Sequence, residues 1–376
     1  MMKPVRSLAM GALPALALVL SAAPAAAQSD ILMQLRSGSP AGDRFRVDSA
    51  GGFVAVTQLG IGIIPASGAG YRFMYHPFKA AVRFGHANSN EFDDTNVGFY
   101  SFAGGESSIA SAFGTFAFGD QVKVTGVDGA AFGGSNEVGG TAGFSAGASN
   151  NVCGFGSVAI GFTNTTGSID GSGNCVAGNG QGAVAIGYRV TADADYAVAL
   201  GHRASADGFS GTFIFGDEST TDSIEATANN QFSARAAGGY RFRTNATLTT
   251  GCNLPAGSGV FSCSSSRTLK ENFEPVDGED VLVRMRSVPV SRWNYIGEVA
   301  GSRHLGPFAE DFYSAFGLGN DPLAIGHFDI SGVSFAAIQA LEKRTAELQA
   351  QLAERDRRIE SLEARLARLE ALLARP

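Results

Sequence analysis

A hydroxyl and an amine sit five residues apart in Ser264-Ser265-Ser266-Arg267-Thr268-Leu269-Lys270. A serine hydroxyl is a poor nucleophile until a base takes its proton, and a desolvated lysine with a lowered pKa can take it. Ser265 and Lys270 therefore make a candidate dyad, provided the chain turns between them. Ser264 and Ser266 compete for the role of nucleophile. The plain alternative is a solvated Lys270 and a chain that is never cut.

Other side chains capable of chemistry are scattered. Histidines fall at 76, 86, 202, 304 and 327 without metal-ligand spacing, so neither a metal nor a cofactor is expected. His202 follows a repeated Gly and reads as a solvated turn residue. Asp193, Asp195 and Asp207 read as turn residues rather than a glycosidase pair. The four cysteines group by nearness as Cys153 with Cys175 and Cys252 with Cys263. In an exported chain disulfides are the expected outcome, with free buried thiols as the alternative.

The elements that must position these residues change character along the chain. Lys3 and Arg6 precede an apolar run, Leu8 to Leu20, and Ala25-Ala26-Ala27 offers a cleavage site. Residues 1–27 thus read as a secretory signal peptide, a buried N-terminal helix being the alternative. No later run is long and apolar enough for a membrane helix, so the mature chain is expected to have none. A net charge of −7 without a basic run argues against nucleic acid as a partner. Residues 28–101 read as an irregular β segment, with strands at Phe45–Asp48, Phe53–Val56, Tyr71–Tyr75 and Ala80–Phe84.

Between 102 and 217 a unit ending in Gly recurs. Phe116-Ala117-Phe118-Gly119, Ala130-Ala131-Phe132-Gly133, Phe144-Ser145-Ala146-Gly147 and Val158-Ala159-Ile160-Gly161 step by 14. Val184-Ala185-Ile186-Gly187 follows after a longer step that holds a loop-like insertion, Gly171–Cys175. A fixed short period means a solenoid, here with one short strand per turn whose Ala and Ile or Phe point inward by turns. A monomeric β-helix satisfies the period as well as an oligomer does. Residues 218–263 read as a β neck with solvent-facing arginines and a hairpin bracketed by Cys252 and Cys263. From Ser334 the period becomes 3.5: Ile338, Leu341, Thr345, Leu348, Leu352, Arg355, Ile359, Leu362, Leu366, Leu369 and Leu373 form a seam. Residues 336–374 are expected to form an oligomeric coiled coil, a lone amphipathic helix being the alternative.

Two resemblances join these pieces. The Ser265–Lys270 stretch is followed by Ser287–Tyr295, Arg303–Phe312, Phe316-Gly317-Leu318-Gly319 and Asp329–Val333. In that order they resemble the intramolecular chaperone auto-processing domain of phage endosialidases and other tailspikes, taken here as 264–335. The resemblance implies a small α+β domain and a homotrimer. It also implies self-cleavage at the Ser264–Ser265 bond, with Ser265 as nucleophile and Lys270 as base. Ser266 stands where that family often has Asp. The repeat units, which carry Ala-x-Ala-(Ile/Leu)-Gly, resemble the head repeats of YadA-like trimeric adhesins, which implies a left-handed parallel β-roll.

The fold expected is therefore a mainly β solenoid, then the α+β chaperone domain, then the coiled coil. The function expected is an exported, cell-surface or secreted trimeric fibre that meets a host surface or glycan and whose only enzymatic act is self-cleavage. The second reading is a phage-type tailspike enzyme that degrades polysaccharide and carries the same tail.

Overall fold

The computed structural model describes residues 31–38, 41–56, 59–176 and 178–373. The signal peptide expected at 1–27 lies outside them. The chain divides into two compact units, with the boundary between Ser264 and Ser265.

Among its described residues the first unit is almost wholly β. Ile31–Gly38, Ala41–Asp48 and Phe53–Ala55 form an antiparallel sheet. The antiparallel hairpin Gly70–His76/Ala81–Ala87 then opens a sheet of 11 strands, which is parallel from Ala81–Ala87 onward. A second parallel sheet has 8 short strands. Each repeat gives one strand to each sheet: Ala130–Gly134 to the first and Glu137–Val138 to the second. Neighbouring strands pair residues 14 apart, as in Ala131↔Ser145 and Val138↔Val152. The first sheet runs past the periodic residues at both ends, since Phe232–Arg235 pairs with Phe213–Gly216.

The repeated Gly is a steric requirement of this stacking. Gly133 has φ +113°, and a Cβ there would lie 1.9 Å from the carbonyl oxygen of Gly147 in the next repeat. Only a residue without a Cβ lets successive backbones approach so closely.

Two expectations about side chains need correction. Ala and Ile or Phe do not both point inward. Ala159 is 0% exposed and its neighbour Ile160 is 36% exposed, and the same division holds for Ala117 and Phe118 and for Ala131 and Phe132. The space between the sheets is narrow, so Ala from the first meets Val124, Val138 and Val152 from the second, and the larger side chains are turned out. The arginines after 230 do not all face solvent either. Arg235 Nε donates to Asp217 Oδ1 at 2.8 Å, and Arg243 Nη2 donates to Asn253 Oδ1 at 2.6 Å. Arg241 alone of the three is exposed.

Buried asparagines join three repeats. Asn136 Oδ1 accepts from the backbone N–H of Asn150 at 2.9 Å, and Asn150 Oδ1 accepts from that of Asn164 at 3.0 Å. Asn150 Nδ2 also donates to the carbonyls of Ala146 and Gly161. Asn150→Leu fills the same space but strands the buried N–H of Asn164 and takes the amide donor away from the Ala146 and Gly161 carbonyls. Each orphaned group costs about 1–3 kcal/mol. The substitution is expected to destabilise the first unit by about 3 kcal/mol, read as a lowered urea midpoint with unchanged slope.

At the other end of the ladder, Arg83 takes the place of the inward Ala: it pairs with Ala103. Its guanidinium donates to Ser101 Oγ at 2.9 Å and to the Ala110 carbonyl at 2.7 Å, and burial lowers its pKa to about 10. His202 is likewise no solvated turn residue. It ends the strand Val198–His202 and stacks on Tyr188, with centroids 5.3 Å apart. Asp195 and Asp193 do hold turns: Asp195 Oδ1 accepts from Gln181 N–H and Asp193 Oδ1 from Gly208 N–H.

Both cysteine pairs are disulfides, Cys153–Cys175 and Cys252–Cys263. The first ties down the insertion, which forms a two-stranded hairpin, Ser168–Ile169 with Cys175–Val176. The second joins directly paired residues in an antiparallel sheet of Gly239–Arg243, Gly251–Pro255 and Ser262–Cys263.

Among its described residues the second unit has three α-helices: α1 (Gly278–Met285), α2 (Ala309–Phe316) and α3 (His327–Leu373). Asp277 caps α1 by accepting from Glu279 N–H, and Gly317 ends α2 at φ 61°. Val281 and Leu282 of α1, Phe312 of α2, and Val333, Ala337 and Ala340 of α3 form its core. Thus α3 starts at His327, before the 3.5-residue period begins, because its first turns face α1 and α2 rather than the seam. Among the described residues no helix is long and apolar enough to cross a membrane.

Candidate functional site

The chain turns between Ser265 and Lys270 as the dyad requires. Arg267–Leu269 is one turn of 3-10 helix. Leu269 N–H donates to the Ser266 carbonyl at 3.1 Å, and Lys270 N–H donates to that of Arg267 at 3.2 Å. Ser266, with extended backbone, precedes the turn as its cap. The Arg267 guanidinium lies 5.4 Å from the centroid of the Phe273 ring, a cation–π contact made from within the turn.

This turn carries Lys270 back along the chain, and its Nζ donates to Ser265 Oγ at 2.7 Å. Once the amine has given up its proton, the same contact lets it accept the hydroxyl proton. The two competing serines are engaged elsewhere. Ser264 Oγ lies 2.9 Å from Gly251 N and 3.0 Å from Gly251 O, within the disulfide-tied sheet of the first unit. Ser266 Oγ lies 2.9 Å from Thr268 Oγ1. Of the three hydroxyls, only that of Ser265 meets the lysine.

Ser265 and Lys270 are both exposed in the single chain. Water stabilises a charged amine, so a lysine serves as base only where its surroundings exclude water. The pair has the geometry of a dyad and lacks cover.

His304 belongs to a separate arrangement. Ser291–Trp293 pairs antiparallel with His304–Gly306. The His304 ring packs 4.7 Å from Trp293, centroid to centroid, and its Nε2 lies 2.9 Å from Glu298 Oε1. The bond from His304, with help from Tyr295 N–H, holds the Glu298 carboxyl below its ordinary range. His304 thereby fastens the hairpin. Among the described residues, no group of three or more His, Cys, Asp or Glu is placed to hold a metal ion.

Sequence reasoning missed the Asn136–Asn150–Asn164 ladder, although those residues share the 14-residue step of the glycines. It marked Ser266 as a rival nucleophile and as the position where the resembling family often has Asp, and gave it no part in shaping the turn.

Residues 265–317 match the family model described as chaperone of endosialidase. The match begins at the dyad serine, takes in α1, the hairpin and α2, and ends at the Gly that closes α2. No curated protein and no solved structure matches the chain.

Proposed function

We propose that the chain is an exported fibre built by its own C-terminal end. In this reading residues 265–376 bring three copies together, the first unit forms the shaft, and Ser265 then cuts the chain. The observation that carries it is a coincidence of three boundaries. The family match, the second compact unit and the hydrogen-bonded Ser–Lys pair all begin at Ser265.

Two apolar faces support assembly. Along α3, Leu348, Leu352, Ile359, Leu362, Leu366 and Leu369 are exposed at heptad spacing. Along the first sheet, Phe118, Phe132, Ile160, Ile186 and Phe215 are exposed one above another. Contiguous apolar surface of this extent calls for a partner. A second and third copy present the same faces, as a coiled coil on α3 and as side-by-side left-handed solenoids in the shaft. The number three comes from the families that these regions resemble. The shaft would meet a host surface or glycan outside the cell.

Assembly would also supply what the dyad lacks. Copies packed around Lys270 exclude water and favour its neutral form. Lys270 then takes the Ser265 proton, and Oγ attacks the Ser264 carbonyl carbon. The carbon–nitrogen bond breaks as Lys270 passes that proton to the departing amine of Ser265, which leaves Ser264 esterified to Oγ. Water hydrolyses the ester, so the products are a Ser264 carboxylate and a Ser265 amine. Cutting would follow assembly and report it.

Sedimentation of the purified full-length chain tests the assembly. A mass of three copies is expected, with Leu362→Asp/Leu366→Asp shifting the population toward smaller species. A wild-type chain that sediments as one copy at micromolar concentration contradicts the reading.

A further inference from the structure

Ser266 lies between nucleophile and base, and its geometry gives it work of its own. Its backbone is extended, φ −66° and ψ 144°, and its side chain accepts from the backbone N–H of Thr268 at 3.3 Å. Its Oγ also shares a hydrogen bond with Thr268 Oγ1 at 2.9 Å. Those bonds cap the single 3-10 turn that separates Ser265 from Lys270. One turn leaves few backbone bonds to hold its shape, so the cap is a large part of what fixes it. The lysine is exposed, and with the turn closed its Nζ lies 2.7 Å from Ser265 Oγ.

We propose that Ser266 is a positioning residue for self-cleavage: its hydroxyl caps the turn that returns the Lys270 amine to the Ser265 hydroxyl. The proposal rests on the self-cleavage reading above. It assigns Ser266 a hydrogen-bond acceptor's role that Asp or Asn can fill equally well, because all three cap strongly and Ala does not. It also removes Ser266 from the nucleophiles, since its hydroxyl is spent on Thr268.

The test follows the cut fraction against time on denaturing gels, with fragment masses, for the full-length wild type, Ser265→Ala, Ser266→Ala and Ser266→Asp. Sedimentation of each checks that assembly is unchanged. Ser266→Ala is expected to assemble as wild type does and to cut about fivefold more slowly at the same bond, the effect of losing one cap. Ser266→Asp is expected to restore the rate to within about twofold of wild type, since the two residues cap alike. The acceptor's role is overturned if Ser266→Ala cuts at the wild-type rate, if Ser266→Asp is as slow as Ser266→Ala, or if the released fragment begins at any residue other than Ser265. A wild type that matches Ser265→Ala, with Ser266→Asp also uncut, instead sinks the self-cleavage reading and takes this proposal with it.

Discussion

Ser265→Ala and Lys270→Ala are each expected to give a single uncut chain where the wild type separates into a piece ending at Ser264 and residues 265–376. The first substitution removes the nucleophile and the second the base. A positioned base contributes about 10²–10⁴ in rate, so on a gel either loss reads as no cutting. Lys270→Arg should fail as completely, because a guanidinium does not give up its proton in proteins. Ser264→Ala is the informative contrast. Its hydroxyl bonds Gly251 rather than Lys270, so that variant should still be cut. Intact masses read all four outcomes. Cutting in Ser265→Ala would remove Ser265 from the mechanism.

Much of the first unit was legible because its physics repeats. A Gly that must lack a Cβ recurs wherever one backbone passes under the next, so Gly119, Gly133 and Gly147 mark the stacking directly. The cysteine pairs were legible from nearness alone. Sidedness was not. In Val158-Ala159-Ile160 all three residues are apolar, so alternation names two faces without saying which is the core. The answer depends on how close the second sheet lies: most inward positions hold Ala, with Ser145 and Ile214 buried at the same register. His202 misled because the residue after a Gly is often a turn residue, whereas here Gly187 and Gly201 sit inside strands that continue through Tyr188 and His202. The start of α3 was hidden for a related reason. Its first turns contact α1 and α2, so Val333, Ala337 and Ala340 do not belong to the 3.5-residue seam. The Ser–Lys contact was the more legible part of the candidate site, since its spacing needs only one turn. The capping role of Ser266 lies in backbone geometry that spacing does not reveal.

Removing residues 265–376 is expected to have the largest effect on the shaft. Within one chain the strands pair residues 14 apart, so each copy can begin to stack locally. What stacking cannot do is bring the exposed rings of three copies together before they meet the wrong partner. Exposed apolar faces and strand edges aggregate when association is slow. Tethering three C-termini raises the local concentration of shafts to the millimolar range and makes the correct encounter effectively intramolecular. A chain ending at Ser264 lacks that help. The decisive measurement is therefore sedimentation, with circular dichroism, of a chain ending at Ser264 beside the full-length protein expressed at the same level. The account predicts that the full-length chain yields a β-rich particle of three shafts and that the truncated chain yields aggregates or single copies. A truncated chain that forms the same three-copy β particle at equal yield would contradict it.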